Sequence, residues 1–156
     1  MTLKRIIKKI VSLIVSIIVL VNAINLWVDH RQEVEEYNAF YEKRHLTAED
    51  LKVESTYKTN TVVTPGEEGK EPPSEVRYKK LYGIEYIGKY ELKEEGSIEV
   101  KVLHGDNVKV LILDEEEKER FYKEITTLTF EPGEAGEYDV YLVGNKFTGR
   151  VSFDTY

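Results

Sequence analysis

Apolar residues are distributed along this chain in two unlike ways: one unbroken block near the start, then short alternating runs separated by turn residues. The block is Ile10 to Val28, IVSLIVSIIVLVNAINLWV, nineteen residues without a charge in which only Ser12, Ser16, Asn22 and Asn25 are polar. A helix rises ~1.5 Å per residue, so this length comes close to the ~30 Å of a bilayer's hydrocarbon core. The pattern predicts a transmembrane helix over 10–28, behind a short tip, 1–9. From Asp29 to Arg44 the chain lacks Gly and Pro and sets Val34, Tyr37 and Tyr41 at helical spacing, with Phe40 beside them. That predicts an amphipathic stalk helix continuous with the span, within a stalk region 29–50. Its apolar stripe is open to three uses: packing on the following domain, lining a homo-oligomeric stalk, or lying at headgroup level. Packing is the expected one. Thr47 with Asp50 three residues on predicts a helical restart, because the pair can satisfy each other's backbone donors, and this breaks the stalk near His45.

The remainder, 51–156, reads as strands. Residues 51–63, with partial alternation through Val53, Ser55, Tyr57, Thr59 and Thr61, predict a first strand. Residues 64–75, TPGEEGKEPPSE, hold three of the four prolines and no sizeable apolar side chain, which predicts a flexible, solvated loop. From Val76 to Lys93, Tyr78, Tyr82, Tyr86 and Tyr90 recur every four residues; Gly83 and Gly88 favour extended chain over helix. Ile98, Val100 and Val102 alternate in the next run, and Val108, Val110 and Ile112 in the one after it, where Leu111 and Leu113 on the opposite face mark a central strand. The intervening Gly105-Asp106-Asn107 predicts that these two form a hairpin. Asp114 to Lys123 reads as one or two helical turns crossing between sheets, with Asp114 as cap, Glu117 at the reciprocal position, a Glu116–Arg120 pair and Phe121 inward. Ile125, Leu128 and Phe130 predict a further strand. A last hairpin around Gly144-Asn145-Lys146 would set Tyr138, Val140 and Leu142 against Phe147, Val151 and Phe153 across the core. Seven or so short strands predict a mainly β protein: an antiparallel β-sandwich or jelly-roll-like domain behind an N-terminal transmembrane helix and short helical stalk.

Charge orients this picture. Lys4, Arg5, Lys8 and Lys9 precede the apolar block and no acid occurs before Asp29, so the N-terminus is expected in the cytoplasm and the domain outside the cell membrane, as a single-pass signal anchor. Val21-Asn22-Ala23 resembles a signal-peptide cleavage site, but the apolar run continues through Trp27 and Val28, which favours an uncleaved anchor. From Asp29 onward, 18 basic residues stand against 29 acidic ones, a net −11. Such a surface repels nucleic acid and suits cations or basic partners. The absence of cysteine removes disulfides, thiolate metal sites and cysteine nucleophiles, and with the Lys/Glu/Ile/Tyr-rich composition suits a bacterial surface.

The runs GSIEVKVLHGDNVKVLILDEEEKERF (96–121) and FEPGEAGEYDVYLVGNKFTGRVSFD (130–154) resemble the GOLD-type β-sandwich found in the lumenal part of membrane cargo proteins, and related bacterial jelly-roll modules. The matching features are the hydrophobic strand, Asp and acidic turn of Ile112 to Glu117, and Gly136-Glu137-Tyr138 opening a strand that ends near Asn145. The resemblance covers roughly 84–156. It implies a non-catalytic interaction domain and assigns no site residues. Ala135-Gly136-Glu137-Tyr138 also resembles the tyrosine corner of immunoglobulin-like sandwiches.

Candidate chemistry is sparse. His30, His45 and His104 have no glycine-framed serine nearby, and His104 with Asp106 is explained by a solvated turn. No GxGxxG, P-loop or HExxH is present. The four consecutive acids of Asp114 to Glu117 lack the spacing of a calcium loop; Asp106, Asn107 and Asp114 would need the fold to gather them. No catalytic residue, metal ligand or cofactor is assigned. Tyr78, Tyr82, Tyr86 and Tyr90 are the one ligand platform the sequence offers, flat rings suited to stacking on sugars or anchoring a peptide. The expected function is therefore a membrane-anchored, extracytoplasmic binding module for a protein or cell-surface glycan. Its competitors are an enzyme or accessory acting on cell-wall polysaccharide, and a span and stalk that pair with another membrane protein while the sandwich positions them.

Overall fold

The computed structural model describes residues 2–53, 55, 59–62 and 71–156. The chain falls into two compact units, Met1–Asn38 and Ala39–Tyr156. The first consists of helix α1, Leu3–Tyr41, whose final residues Ala39–Tyr41 belong to the second unit. At 39 residues α1 extends about 58 Å. Its most apolar stretch has a mean hydropathy of 2.4 and none of it is buried, so the helix is long and apolar enough to cross a membrane. Helix continues without a break from the apolar block into the stalk, as the periodicity predicts. It ends at Tyr41, before His45, and 42–49 are non-helical.

The second unit is an antiparallel sheet of seven described strands, curled on itself: β1 Thr59–Val62, β2 Glu75–Leu92, β3 Ile98–His104, β4 Val108–Leu113, β5 Glu119–Glu124, β6 Thr127–Phe130 and β7 Gly136–Thr155. β2 and β7 pair along nearly their whole length, from Glu75 opposite Ser152 to Leu92 opposite Gly136. This long ribbon serves both halves of the sheet. Against the C-terminal part of β7 lie β3 and then β6, with β1 on the far edge of β2; against its N-terminal part lie β4 and then β5. The halves close over one core in which Val76, Ile87, Val100, Val110, Ile112, Tyr138, Leu142, Phe147 and Phe153 are buried. Mainly β structure behind an N-terminal helix is therefore what the chain forms, with one folded sheet in place of two separate ones.

Three local expectations are corrected. β7 is a single strand through Gly144-Asn145-Lys146, where a hairpin is expected. Gly144 is there for a close approach: a Cβ on it would stand 2.8 Å from the Leu81 carbonyl oxygen of β2. Lys146, at φ 57°, reverses the facing of the strand, so even-numbered Tyr138, Val140 and Leu142 point inward before it and odd-numbered Phe147, Val151 and Phe153 after it. The six residues do meet in the core as expected, by curling of one strand. β3 and β4 are not a hairpin either. Both bond to the same edge of β7, so Gly105-Asp106-Asn107 is an arch from one half of the sheet to the other, pinned where the Asn145 amide donates to the Asn107 carbonyl, 3.1 Å. Asp114 to Lys123, expected to be helical and to cross between sheets, is instead the tight turn and strand β5 of a β4–β5 hairpin. One Asp114 carboxylate oxygen accepts from the Glu116 and Lys118 amides, 3.0 Å each, and Glu117 takes φ 59°, which closes a turn where a capped helix would have continued. Arg120 pairs with Asp114 and Glu134, and not with Glu116. Phe121 packs against the core as expected.

The outer face of the β2–β7–β4–β5 half carries a second apolar cluster, Ile84, Leu111, Leu113, Tyr122 and Val143, covered by Phe40 and Tyr41 from the end of α1 and by Leu46, Leu51 and Val53. Packing is thus the use made of Phe40 and Tyr41. Burying each contributes about 1.5–3 kcal/mol. The Thr47–Asp50 pair behaves as its spacing predicts: the Thr47 amide donates to Asp50, 2.8 Å, and the Asp50 amide donates to the Thr47 hydroxyl, 3.3 Å. A 3-10 turn, Asp50–Lys52, follows, so Leu51 and Lys52 are not strand as expected over 51–63, while Thr59–Val62 of that run form β1 and 54, 56–58 and 63 lie outside the described residues. Tyr57, Val63 and loop residues 64–70 lie outside the described residues.

Candidate functional site

The tyrosine series shows what the bends of β2 do to a four-residue repeat. On a regular strand, positions four apart share a face. β2 shifts register between Tyr78 and Leu81, between Leu81 and Tyr82, and between Tyr86 and Gly88. Tyr78 and Tyr90 consequently point into the core, at 4% and 5% exposure, while Tyr82 and Tyr86 are half-buried on β2 between them. Tyr78 packs on Phe147, ring centroids 6.4 Å apart. Burial pushes the Tyr90 hydroxyl well above the usual phenol range. Tyr86 packs at a tilt against Tyr141, ring centroids 5.1 Å apart, and donates to Asp139, 2.9 Å. The four therefore do not form one open row.

The side chains that do converge lie elsewhere. At the β4–β5 turn, a cleft of about 500 Å³ is bordered by Asp114, Glu115, Glu116, Glu134 and Glu137, with Lys118 and Arg120 as the positive charges. Its floor is built by Tyr138, whose hydroxyl donates to the Glu134 carbonyl four residues upstream, 3.2 Å, which is the bond expected of a tyrosine corner. Glu115 accepts from the Glu137 amide, 3.0 Å, tying the turn to the start of β7. Arg120 bonds Glu134 and lies over the Tyr138 ring, 5.9 Å from its centroid. The Lys118 and Glu116 amides hold the Asp114 carboxyl below its ordinary range, so it stays charged. The cleft carries excess negative charge in fixed positions, the arrangement that attracts Lys- or Arg-bearing partners.

A second cleft, about 520 Å³, runs between residues 42–45 and β5. Its base is a cage that sequence reasoning missed. The Lys109 amine sits 4.5 Å from the centroid of the Tyr41 ring and 5.1 Å from that of Tyr122, and donates to the Tyr41 carbonyl at the end of α1. Tyr41 donates to Glu124, 3.1 Å. Burial pushes the Tyr122 hydroxyl up to about 12. The signal in the sequence was a lone lysine inside VKVLIL, an otherwise apolar central strand, where an amine needs an internal partner.

His45 pairs with Glu119 at 3.1 Å and is exposed; His104 closes β3. Asp106 and Asp114 stand at opposite ends of β4, roughly 20 Å apart along the strand. Among the described residues no three His, Cys, Asp or Glu side chains gather in a way that would hold a metal ion. Comparison with known protein families gives no match, and no curated protein matches the chain.

Proposed function

We propose that the chain is a single-pass membrane protein with a cytoplasmic N-terminus, whose acidic β-domain engages a protein or glycan partner outside the cell without transforming it. One observation carries this reading: nineteen charge-free residues within α1, all exposed, with four basic residues before them and none of the 29 acids. Leaving so much apolar surface in water is unfavourable, and a bilayer is the solvent that removes the penalty. The basic flank favours retention on the cytoplasmic side. The likeness of 96–121 and 130–154 to GOLD-type sandwiches supports an interaction role, and the acid-rimmed cleft at the β4–β5 turn gives such a domain a surface for a basic protein segment.

Topology is tested on a chain with no native cysteine. Glu94→Cys, in the exposed turn between β2 and β3, is expected to react with a membrane-impermeant maleimide added to intact cells. Reaction only after permeabilisation overturns the orientation.

A further inference from the structure

The polar residues inside the apolar stretch of α1 differ in how they are satisfied. Ser16 donates to the Ser12 carbonyl one turn back, 2.9 Å, as hydroxyls in helices commonly do. Asn22 and Asn25 are exposed, and among the described residues neither amide has a side-chain hydrogen bond. Three residues apart, they share one helix face. Measured from the middle of 10–28 they lie about 4.5 and 9 Å along the axis, inside the ~15 Å half-thickness of a hydrocarbon core. Lipid offers an amide no partner there.

We propose, on the reading of 10–28 as a membrane span, that this face pairs two copies of the chain as parallel helices, with Asn22 and Asn25 hydrogen-bonding to the same residues of the second copy. The occupant follows from the chemistry of the group. An amide donates and accepts, so a face carrying it is complementary to itself, and copies inserted in the same direction bring Asn22 to Asn22 and Asn25 to Asn25 at equal depth. The face continues toward the N-terminus through Ile18, Val15 and Val11 at alternating spacings of three and four, the seam of a helix pair. These β-branched side chains have little rotamer freedom to lose on packing. Lys8 and Asp29 bound the seam, and like charges facing each other there confine close contact to 11–25.

The test uses the full-length chain in phosphatidylcholine–phosphatidylglycerol vesicles. Ile18→Cys places a thiol on the amide face and Leu20→Cys places one roughly 200° around the helix. Mild oxidation is expected to give disulfide-linked dimer at position 18 and several-fold less at position 20. Adding N22L and N25L to Ile18→Cys should weaken association about tenfold, the scale of interhelical hydrogen bonds in membranes. Both leucines make the segment more apolar, so insertion is preserved. Equal crosslinking at the two positions, or crosslinking indifferent to the leucines, overturns the pairing and leaves the span standing. Carbonate extraction reads the span separately: chain released into the supernatant overturns both.

Discussion

Asp50 shows how much one carboxylate organises. It accepts from the Lys43 amine, 2.7 Å, and from the Thr47 amide and hydroxyl, and it is buried while doing so. These bonds, led by that of Lys43, hold its carboxyl below its ordinary value of 3.8. A lowered folded value means stabilisation that is complete above the ordinary value and is lost as pH falls through the folded one. Asp50→Asn is therefore expected to cost about 1–2 kcal/mol at pH 7. Urea unfolding at pH 7 and near pH 3 reads this; a deficit that persists undiminished at the acid end would show that charge is not what Asp50 supplies. The Thr47–Asp50 relation was legible because both partners lie within one turn. Lys109 was not, because its partners Tyr41 and Tyr122 are 68 residues before it and 13 after it, and no local pattern joins them.

Among the elements, β7 depends on positions that tolerate no side chain. Gly149 lies opposite Tyr78 of β2, and a Cβ on it would run into the His104 carbonyl oxygen at the end of β3. Gly149→Ala is expected to destabilise by about 3 kcal/mol, since backbone and not a flexible side chain must give way; thermal unfolding checks it, and an unchanged Tm would mean the strands separate there at no cost. The same feature explains what the sequence conveyed. Alternation identified β3 and β4 and named which residues of β7 face inward; of the apolar positions that predicted β6, Leu128 and Phe130 lie on it and Ile125 precedes it. It did not reveal that β7 is continuous, because Gly-Asn-Lys is equally the composition of a hairpin turn and of a bend under close packing. Nor could the spacing of Tyr78, Tyr82, Tyr86 and Tyr90 survive strand irregularities, which depend on the partner strand. The β4–β5 turn has the sequence of a helix start because Asp with an acid three residues on serves both structures; a strand of only six residues after it, ERFYKE, has too few apolar positions to betray its period.

For the whole molecule, order along the chain matters as much as order in the sheet. β2, β3 and β4 all take β7 as a neighbour, and β7 follows every one of them in sequence. A chain stopped after Val143 keeps the β4–β5 hairpin but loses the edge to which β3 and the first half of β2 attach. It is expected to be digested by trypsin within the time the intact chain resists; equal resistance would show that the remaining strands assemble alone. Pairing between such distant segments is slow to nucleate in any case. Until synthesis has passed residue 155, β3 and the first half of β2 lack the edge that joins them, so closure of the sheet belongs to the very end of translation.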